Sequence, residues 1–348
     1  MARRLLVRRP ETGVRAATPG ASVAHGGAGV DGAARRSPHR LAFHGRGGSL
    51  LGIHVVNVLL TLCTAGVFYF WARVRVRRYL FAQTSFANDR FAFHGRGIEV
   101  LVGFLKAVLV FGLPIAALNW LPALLDAGPA ATIAASLGAW ALALVLVPVA
   151  RAGARRYRLS RTSWRGIRFS FRGSTPAYVR LFVTGWLLTL VTLGLYYPWF
   201  ATHTHGYLTR HCRFGSGRFA FDGQGRDLLV DFLYAILLTL PTLGVCWFWF
   251  TAAKRRYFWR HTTFEGARFA CTITGGNLLG LRLGNAALVL LTLGLGWPFA
   301  TVRNARFVCR HVTLAGPLDL DAVRQESREA TATGEGLLGL LEADLSFG

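Results

Sequence analysis

Charged residues inside long apolar stretches are the first candidates for chemistry in this 348-residue chain. Because an ion in hydrocarbon is costly, such residues usually face a partner, a bundle interior or a water-filled path. The candidate buried polar or transport residues are Glu99, Lys106, Asp227, Asp231 and Arg282. Glu99 and Asp227 lie 128 residues apart, at equivalent positions of an internal repeat. We interpret them as ion-pair partners of neighbouring arginines, with a proton or ion relay as the alternative.

Paired arginines that follow aromatic clusters form a second set of candidates. The clusters occupy residues 68–71, 196–200 and 247–250. An aromatic belt followed by basic residues is typical of a membrane interface, where each basic side chain contributes about 1 kcal/mol to association with an anionic surface. The sequence therefore predicts the lipid bilayer and its anionic lipids as partners, and no nucleic acid. The predicted lipid-headgroup contacts are Arg77, Arg78, Arg155, Arg156, Arg255 and Arg256.

Histidines also recur at equivalent positions, His44 with His94, and His211 with His261 and His311. No carboxylate or cysteine accompanies them at the spacing of a metal site, so packing is preferred over metal binding. The sequence contains no nucleophile elbow, no His-Glu-x-x-His motif and no complete glycine-rich phosphate loop. We predict no metal, no cofactor and no catalytic residue, and interpret the protein as not being an enzyme.

Composition places these residues in a membrane protein. Hydrophobic residues make up 53% of the chain and charged residues 16%, whereas soluble domains carry roughly 25% charged residues. The mean hydropathy is +0.38. Lys and Arg number 40 against 16 Asp and Glu, an excess that in so apolar a chain favours cytoplasmic loops over nucleic-acid binding. The five cysteines form no Cys-x-x-Cys pair and are interpreted as small hydrophobic residues.

One aromatic position recurs along the chain at spacings of 78, 50, 50 and 50 residues. Such a period indicates a fold built from copies of one supersecondary unit. The position is occupied by Tyr79, Tyr157, Tyr207, Tyr257 and Phe307, and we interpret it as the lipid-facing exit of each copy. The predicted repeats span residues 40–89, 90–167, 168–217, 218–267 and 268–316, which form one membrane domain, 39–316. Residues 1–38 are predicted to be a disordered basic tail, and 317–348 an acidic flexible tail.

The apolar runs predict an α-helical polytopic membrane protein with about six transmembrane helices, since a span needs about 20 apolar residues. The predicted spans are Ser49–Trp71, Ile98–Leu118, Ala131–Ala150, Tyr178–Phe200, Leu228–Phe250 and Leu278–Ala300. Between repeats, alternating residues around turn-forming pairs predict short β-hairpins.

The topology of these runs is left open by the charge pattern. Single crossings would place successive basic segments on opposite faces, against the positive-inside bias. The second repeat contains two apolar runs joined by residues 119–129, a loop without Lys or Arg, so it begins and ends on one face. We predict that each of the other repeats crosses the bilayer once. The alternative is that each turns back at a Thr-Leu-Gly segment inside the bilayer.

A recurring motif string carries a resemblance to a known family. Phe-x-Gly-x-Gly is followed by an apolar run into Thr-Leu-Gly-x-Tyr-Tyr-x-Trp, and then by Arg-x-Arg-Arg-Tyr and Thr-x-Phe. This string resembles the YjgN-like family of bacterial inner-membrane proteins of unknown function, over roughly Arg40 to Gly316. The resemblance implies an integral protein of the bacterial inner membrane, and it implies no substrate, cofactor or catalytic residue.

Two functions are consistent with these features. The repeated aromatic and arginine edge favours a non-enzymatic scaffold or lipid-interacting component. The internal repeats, interrupted apolar segments and charged residues at depth favour a transporter or channel as the alternative.

Overall fold

The computed structural model describes residues 39–316 and Val323. The predicted N-terminal tail and all of the predicted C-terminal tail except Val323 lie outside the described residues, and the predicted domain boundaries remain predictions. Within the described part, the chain follows one order five times: a strand, two antiparallel helices joined by a tight turn, and a second strand.

The bounds of the elements are as follows. Unit 1 contains β1 (His39–Phe43), α1 (Gly47–Cys63), α2 (Tyr69–Ala82) and β2 (Thr84–Phe86). Unit 2 contains β3 (Asp89–Phe93), α3 (Gly97–Ala107), a π-helical turn (Val108–Gly112), α4 (Leu113–Leu124), α5 (Pro129–Ser160) and β4 (Thr162–Trp164). Unit 3 contains β5 (Ile167–Phe171), α6 (Thr175–Val191), α7 (Tyr197–Arg210) and β6 (Cys212–Phe214). Unit 4 contains β7 (Gly217–Phe221), a 3-10 turn (Gly225–Leu228), α8 (Leu229–Leu237), α9 (Cys246–Arg260) and β8 (Thr262–Phe264). Unit 5 contains β9 (Ala267–Cys271), α10 (Gly275–Leu291), α11 (Trp297–His311) and β10 (Val312–Ala315).

The ten strands form one closed antiparallel barrel. The two strands of a unit pair with each other, and a short turn then leads into the first strand of the next unit. Pairing of β1 with β10 closes the barrel, so no described strand presents a free edge. Aromatic side chains fill the interior. This core contains Trp164, Phe214, Phe264, Leu314 and Val323, flanked by Phe86, Phe91, Phe169, Phe219 and Phe269.

All helices leave the same end of the barrel. In unit 1 the last residue of β1, Phe43, pairs with the first residue of β2, Thr84, so the helices between them start and finish side by side. The same register occurs in the other units, at Phe93 with Thr162, Phe171 with Cys212, Phe221 with Thr262 and Cys271 with Val312. The inter-unit turns therefore lie at the opposite end, and every described unit begins and ends on one side.

The helices form a closed ring above that end. Each first helix packs between the second helix of its own unit and the second helix of the preceding unit. Thus α1 contacts α2 and α11, α6 contacts α5 and α7, and α10 contacts α9 and α11.

The predicted fold class, a polytopic bundle of about six transmembrane helices, is wrong. The described chain forms a ten-stranded barrel, and each predicted span outside unit 2 divides into two helices. The reason is local: Leu193 and Gly194 have φ angles of 50° and 95°, a left-handed pair that ends a helix and reverses the chain. Only two described helical stretches are long and apolar enough to cross a membrane, Gly97–Leu124 with 28 residues and Pro129–Ser160 with 32.

Candidate functional site: hairpin tips and basic surfaces

The tips of the short helical hairpins are the most exposed apolar part of the described surface. Leu193, Leu243 and Leu293 are 93%, 93% and 94% exposed. Each occupies the central position of the Thr-Leu-Gly turn. Burying one such side chain contributes roughly 1.5–3 kcal/mol, so three exposed leucines at equivalent tips indicate a surface that contacts an apolar phase.

The tip turn satisfies its backbone N–H groups by hydrogen bonds within the turn. The Thr192 hydroxyl donates to the Leu188 carbonyl at 2.7 Å and accepts the Tyr196 N–H at 3.0 Å. The Gly194 N–H donates back to the Thr189 carbonyl at 2.7 Å. Thr64, Thr242 and Thr292 make the same pair of hydroxyl bonds in units 1, 4 and 5. These internal bonds lower the cost of placing the turn in hydrocarbon, where unsatisfied backbone groups are costly.

Helix length separates unit 2 from the others. The 17 residues of α6 extend about 25 Å at 1.5 Å per residue, less than the roughly 30 Å thickness of the hydrocarbon core. The 32 residues of α5 extend about 48 Å, enough to cross completely. The hairpins of units 1, 3, 4 and 5 therefore have the dimensions of re-entrant segments, and that of unit 2 has the dimensions of a spanning pair.

The recurring tyrosine closes the base of the hairpins of units 1 to 4, which corrects its interpretation as a lipid-facing exit. The Tyr79 hydroxyl accepts the Arg46 N–H at 2.9 Å and donates to the Arg46 carbonyl at 3.0 Å, joining the end of α2 to the start of α1. The Tyr257 hydroxyl likewise accepts the Gln224 N–H, at 2.6 Å. Its single proton is directed to the Asp227 carboxylate at 2.6 Å, with the Gln224 carbonyl 3.0 Å away as the other acceptor. Burial and the Asp227 hydrogen bond raise the pKa of Tyr257 to about 12.

The second arginine of each predicted lipid-contact pair joins neighbouring units. Arg78, Arg156 and Arg256 donate to the carbonyls of Gly95, Gly173 and Ile273, each at the strand-to-helix corner of the next unit. Arg306 donates to the Gly45 carbonyl and so links unit 5 back to unit 1. These guanidinium groups have a structural partner, because each satisfies a carbonyl of the adjacent unit.

The first arginines, Arg77, Arg155 and Arg255, are half-buried between helices. Arg155 donates to the Cys212 sulfur at 3.3 Å. Burial and then the nearby Arg282 guanidinium lower the pKa of Arg255. These side chains are directed toward the protein rather than into the surrounding medium.

The candidate buried polar residues do not converge on one site. Glu99 accepts from Arg161 at 2.5 Å and from the Arg96 N–H at 3.1 Å. Asp227 contacts Tyr257, and lies 3.7 Å from the Arg226 guanidinium. These two carboxylates lie at the bases of their hairpins. Asp231 and Arg282 are exposed, and Lys106 is half-buried on α3.

A ring of five exposed arginines around the barrel was missed in the sequence. One arginine stands on the first strand of every unit. This arginine belt consists of Arg40, Arg90, Arg168, Arg218 and Arg268. Its members lie 50, 78, 50 and 50 residues apart, with the longer interval across the insertion of unit 2, so aligning the copies position by position would have revealed it. Arg268 lies 3.6 Å from Asp222, and Ser85 is the cross-strand neighbour of Arg90.

Histidines at equivalent positions make local contacts. The His44 and His94 rings hydrogen-bond Ser85 and Ser163 at 3.0 and 2.8 Å, and His261 pairs with Asp222 at 2.7 Å. Among the described residues, no three His, Cys, Asp or Glu side chains lie together in a group able to hold a metal ion.

The two long apolar helices and the exposed apolar tips of the short hairpins are typical of a membrane protein. The sequence matches a bacterial protein family of unknown function, DUF898, over residues 38–248 and 226–340. The chain belongs to that family. The inner membrane protein YjgN of Salmonella typhimurium is 28% identical over 169 residues, which cover 45% of this chain and 40% of the relative.

YjgN of Escherichia coli is 31% identical over 157 residues, covering 45% of this chain and 36% of the relative, so the match spans well under half of either relative. No solved structure matches the chain significantly. The resemblance to the YjgN-like family is confirmed, and the protein is located in the bacterial inner membrane.

Proposed function

We propose that this protein is a non-enzymatic, lipid-interacting scaffold of the cytoplasmic leaflet. The helical hairpin of unit 2 crosses the bilayer, which makes the protein multi-pass. The other four hairpins enter from the cytoplasmic side and turn back within the membrane, and the barrel stays at the cytoplasmic surface. The five units are repeats of one ancestral unit.

The exposed tip leucines carry the proposal. They lie at the ends of the short hairpins that are farthest from the barrel, on turns with internal hydrogen bonds. The arginines on the barrel strands and at the bases of the hairpins favour the cytoplasmic side for the barrel, since basic segments are retained there.

The arginine belt supports interaction with anionic headgroups. Arg90 is three residues from the end of β3, about 10 Å from the helix end of the barrel at 3.3 Å per residue. The headgroup region on each side of the hydrocarbon is several ångströms thick, so an arginine side chain at that height reaches lipid phosphates. Arginine also matches phosphate geometry well, through its planar fork of N–H donors.

Replacing all five belt arginines by glutamine is expected to remove selectivity for anionic lipid. At about 1 kcal/mol for each basic side chain, the total attraction falls by up to about 5 kcal/mol. The measurement is the immobilised fraction of spin-labelled phosphatidylglycerol and phosphatidylcholine around the reconstituted protein. The matched control replaces the same five residues by lysine and keeps the selectivity. Equal selectivity in the wild type and the glutamine variant would contradict the proposal.

A further inference from the structure

The end of the barrel away from the helices has an apolar mouth. The second strand of every unit contributes one large side chain to it, at equivalent positions along the chain. These mouth residues are Phe86, Trp164, Phe214, Phe264 and Leu314. Neighbouring rings pack together, with centroids 5.6 Å apart for Phe86 and Trp164 and 5.6 Å apart for Trp164 and Phe214. The mouth is therefore a ring of five side chains, one from each unit.

A residue from outside the barrel strands closes this mouth. Val323 is 7% exposed and packs in one apolar cluster with the mouth residues. It comes after the last strand, β10, which ends at Ala315. Gly316 follows with a φ of 129°, and a Cβ there would lie 3.0 Å from the Ala267 Cα, so the chain leaves β10 close against the rim of the mouth. The chain then contacts the mouth again through Val323.

The contact depends on the covalent connection of Val323 to the barrel. Burial of one valine side chain is a modest contribution, too small by itself to hold a separate molecule firmly. Val323, however, is only seven residues beyond Gly316, and a short tether of this kind gives an effective concentration in the millimolar range. A weak contact maintained by a tether is one that a stronger partner can replace.

Positive charge surrounds the mouth. The arginine belt occupies the second residue of every first strand, and these strands begin at the mouth end of the barrel. One residue of strand is about 3.3 Å, so the belt lies close to the rim. The sequence around Val323, residues 317–329, carries four carboxylates and two arginines. An acidic segment with an aliphatic side chain therefore complements both the apolar mouth and its basic rim.

We propose that the mouth is a docking site for an acidic peptide segment of a partner protein, with one aliphatic side chain as its anchor. Val323 occupies the site in cis as an autoinhibitory contact. The partner binds when its own anchor replaces Val323. This role goes beyond the lipid contacts of the scaffold, and it gives the barrel a protein partner at the end away from the helices.

The test is fluorescence anisotropy with a labelled peptide of residues 317–329 as the probe and the full-length protein in a neutral detergent. We expect Val323→Asp to bind the peptide about tenfold more tightly than the wild type, because the tethered valine no longer competes. Val323→Ser is a second variant in case Val323→Asp does not fold. Ser327→Asp is the matched control, since it adds the same charge and keeps Val323, and its affinity should stay within about twofold of the wild type.

Variants of the peptide form the second arm. Replacing the peptide's valine by aspartate should weaken binding to the Val323→Asp protein by about tenfold, the contribution of one buried aliphatic side chain. Replacing its four carboxylates by amides should weaken binding by about threefold at low salt. An unchanged affinity for the amide peptide would overturn the acidic character assigned to the partner.

Three further results would overturn the proposal. They are equal affinities of the wild type and Val323→Asp, equal binding of the valine and aspartate peptides, and the absence of saturable binding. Analytical ultracentrifugation adds a check on the cis contact. Wild-type dimers that Val323→Asp dissociates would contradict it, because Val323 would then occupy the mouth of a second copy. No lipid is present, so these results do not depend on the headgroup contacts of the arginine belt.

Discussion

Replacing Leu193, Leu243 and Leu293 together by glutamate is expected to expel the three short hairpins from the bilayer. These side chains are almost fully exposed at the tips, so the substitutions disturb little of the folded protein. Each carboxylate at bilayer depth costs about 2.5–3.5 kcal/mol, which for three tips gives on the order of 8–10 kcal/mol. Quenching of a fluorophore at position 191 by lipids brominated along the acyl chain measures the depth, and we expect quenching to fall to the level of a water-exposed site.

Methionine at the same three positions is the matched control. Methionine keeps the apolar character and avoids a β-branched side chain, which the φ angles near 50° would disfavour. Quenching should then match the wild type. Strong quenching in the glutamate variant would show that the tips are held in the membrane by something other than their leucines, and would remove the main support for the proposed insertion.

Gly223→Ile is expected to lower the free energy of unfolding by about 3 kcal/mol, the upper range for overpacking. An added Cβ would lie 2.6 Å from the Phe221 ring and 2.9 Å from the Tyr257 ring. Unit 5 accommodates isoleucine at the position equivalent to Gly223. Ile273 is 1% exposed there, and Cys271 and Phe307 stand in place of Phe221 and Tyr257. The triple variant Phe221→Cys, Gly223→Ile, Tyr257→Phe should therefore recover about half of the lost stability.

Thermal unfolding of the purified protein in detergent measures both effects. Gly276→Ile serves as the control, since a Cβ at Gly276 meets no atom within 4 Å, and we expect a small change. The prediction assumes that side chains at equivalent positions of two units can be exchanged as a set. A triple variant less stable than Gly223→Ile alone would contradict it.

Much of the local structure can be derived from single motifs. The apolar runs and the charge composition indicate a membrane protein, and the basic segments provided the argument for the alternative topology, in which successive units return to one side. The Thr-Leu-Gly segment contains the reversal, because a glycine after a leucine in the left-handed region ends a helix. Single spans were preferred because re-entrant hairpins are uncommon in membrane proteins, although the Thr-Leu-Gly segment had offered the reversal as the alternative.

The barrel could not be derived in the same way. Its strands are three to five residues long, and β1 pairs with β10 across the whole described chain. Local alternation gives no register between residues so far apart. The roles of the paired arginines were likewise hidden. Arg78 and Arg77 are adjacent in sequence, but Arg78 contacts the neighbouring unit whereas Arg77 is half-buried between helices.

Compensating substitutions among the units carried more information than any single copy. Glycine at the start of the first helix accepts the aromatic side chain of the preceding unit, as Gly225 accepts Trp199. Where unit 3 has Thr175 at this position, the preceding unit has the smaller Val149. Such pairs indicate contact between adjacent units, and comparing the copies position by position would have predicted the closed ring.

The central claim is that the units return to one face, and cysteine labelling from the two sides of the membrane tests it most directly. Single cysteines are placed in a cysteine-free protein at Ala87, Arg165, Ser216 and Glu265, the turns at the far end of the barrel, and at Asp126 in the unit 2 loop. A membrane-impermeant maleimide should label all four turns only from the cytoplasmic side, and position 126 only from the opposite side. Alternation of successive turns between the two sides would contradict the account.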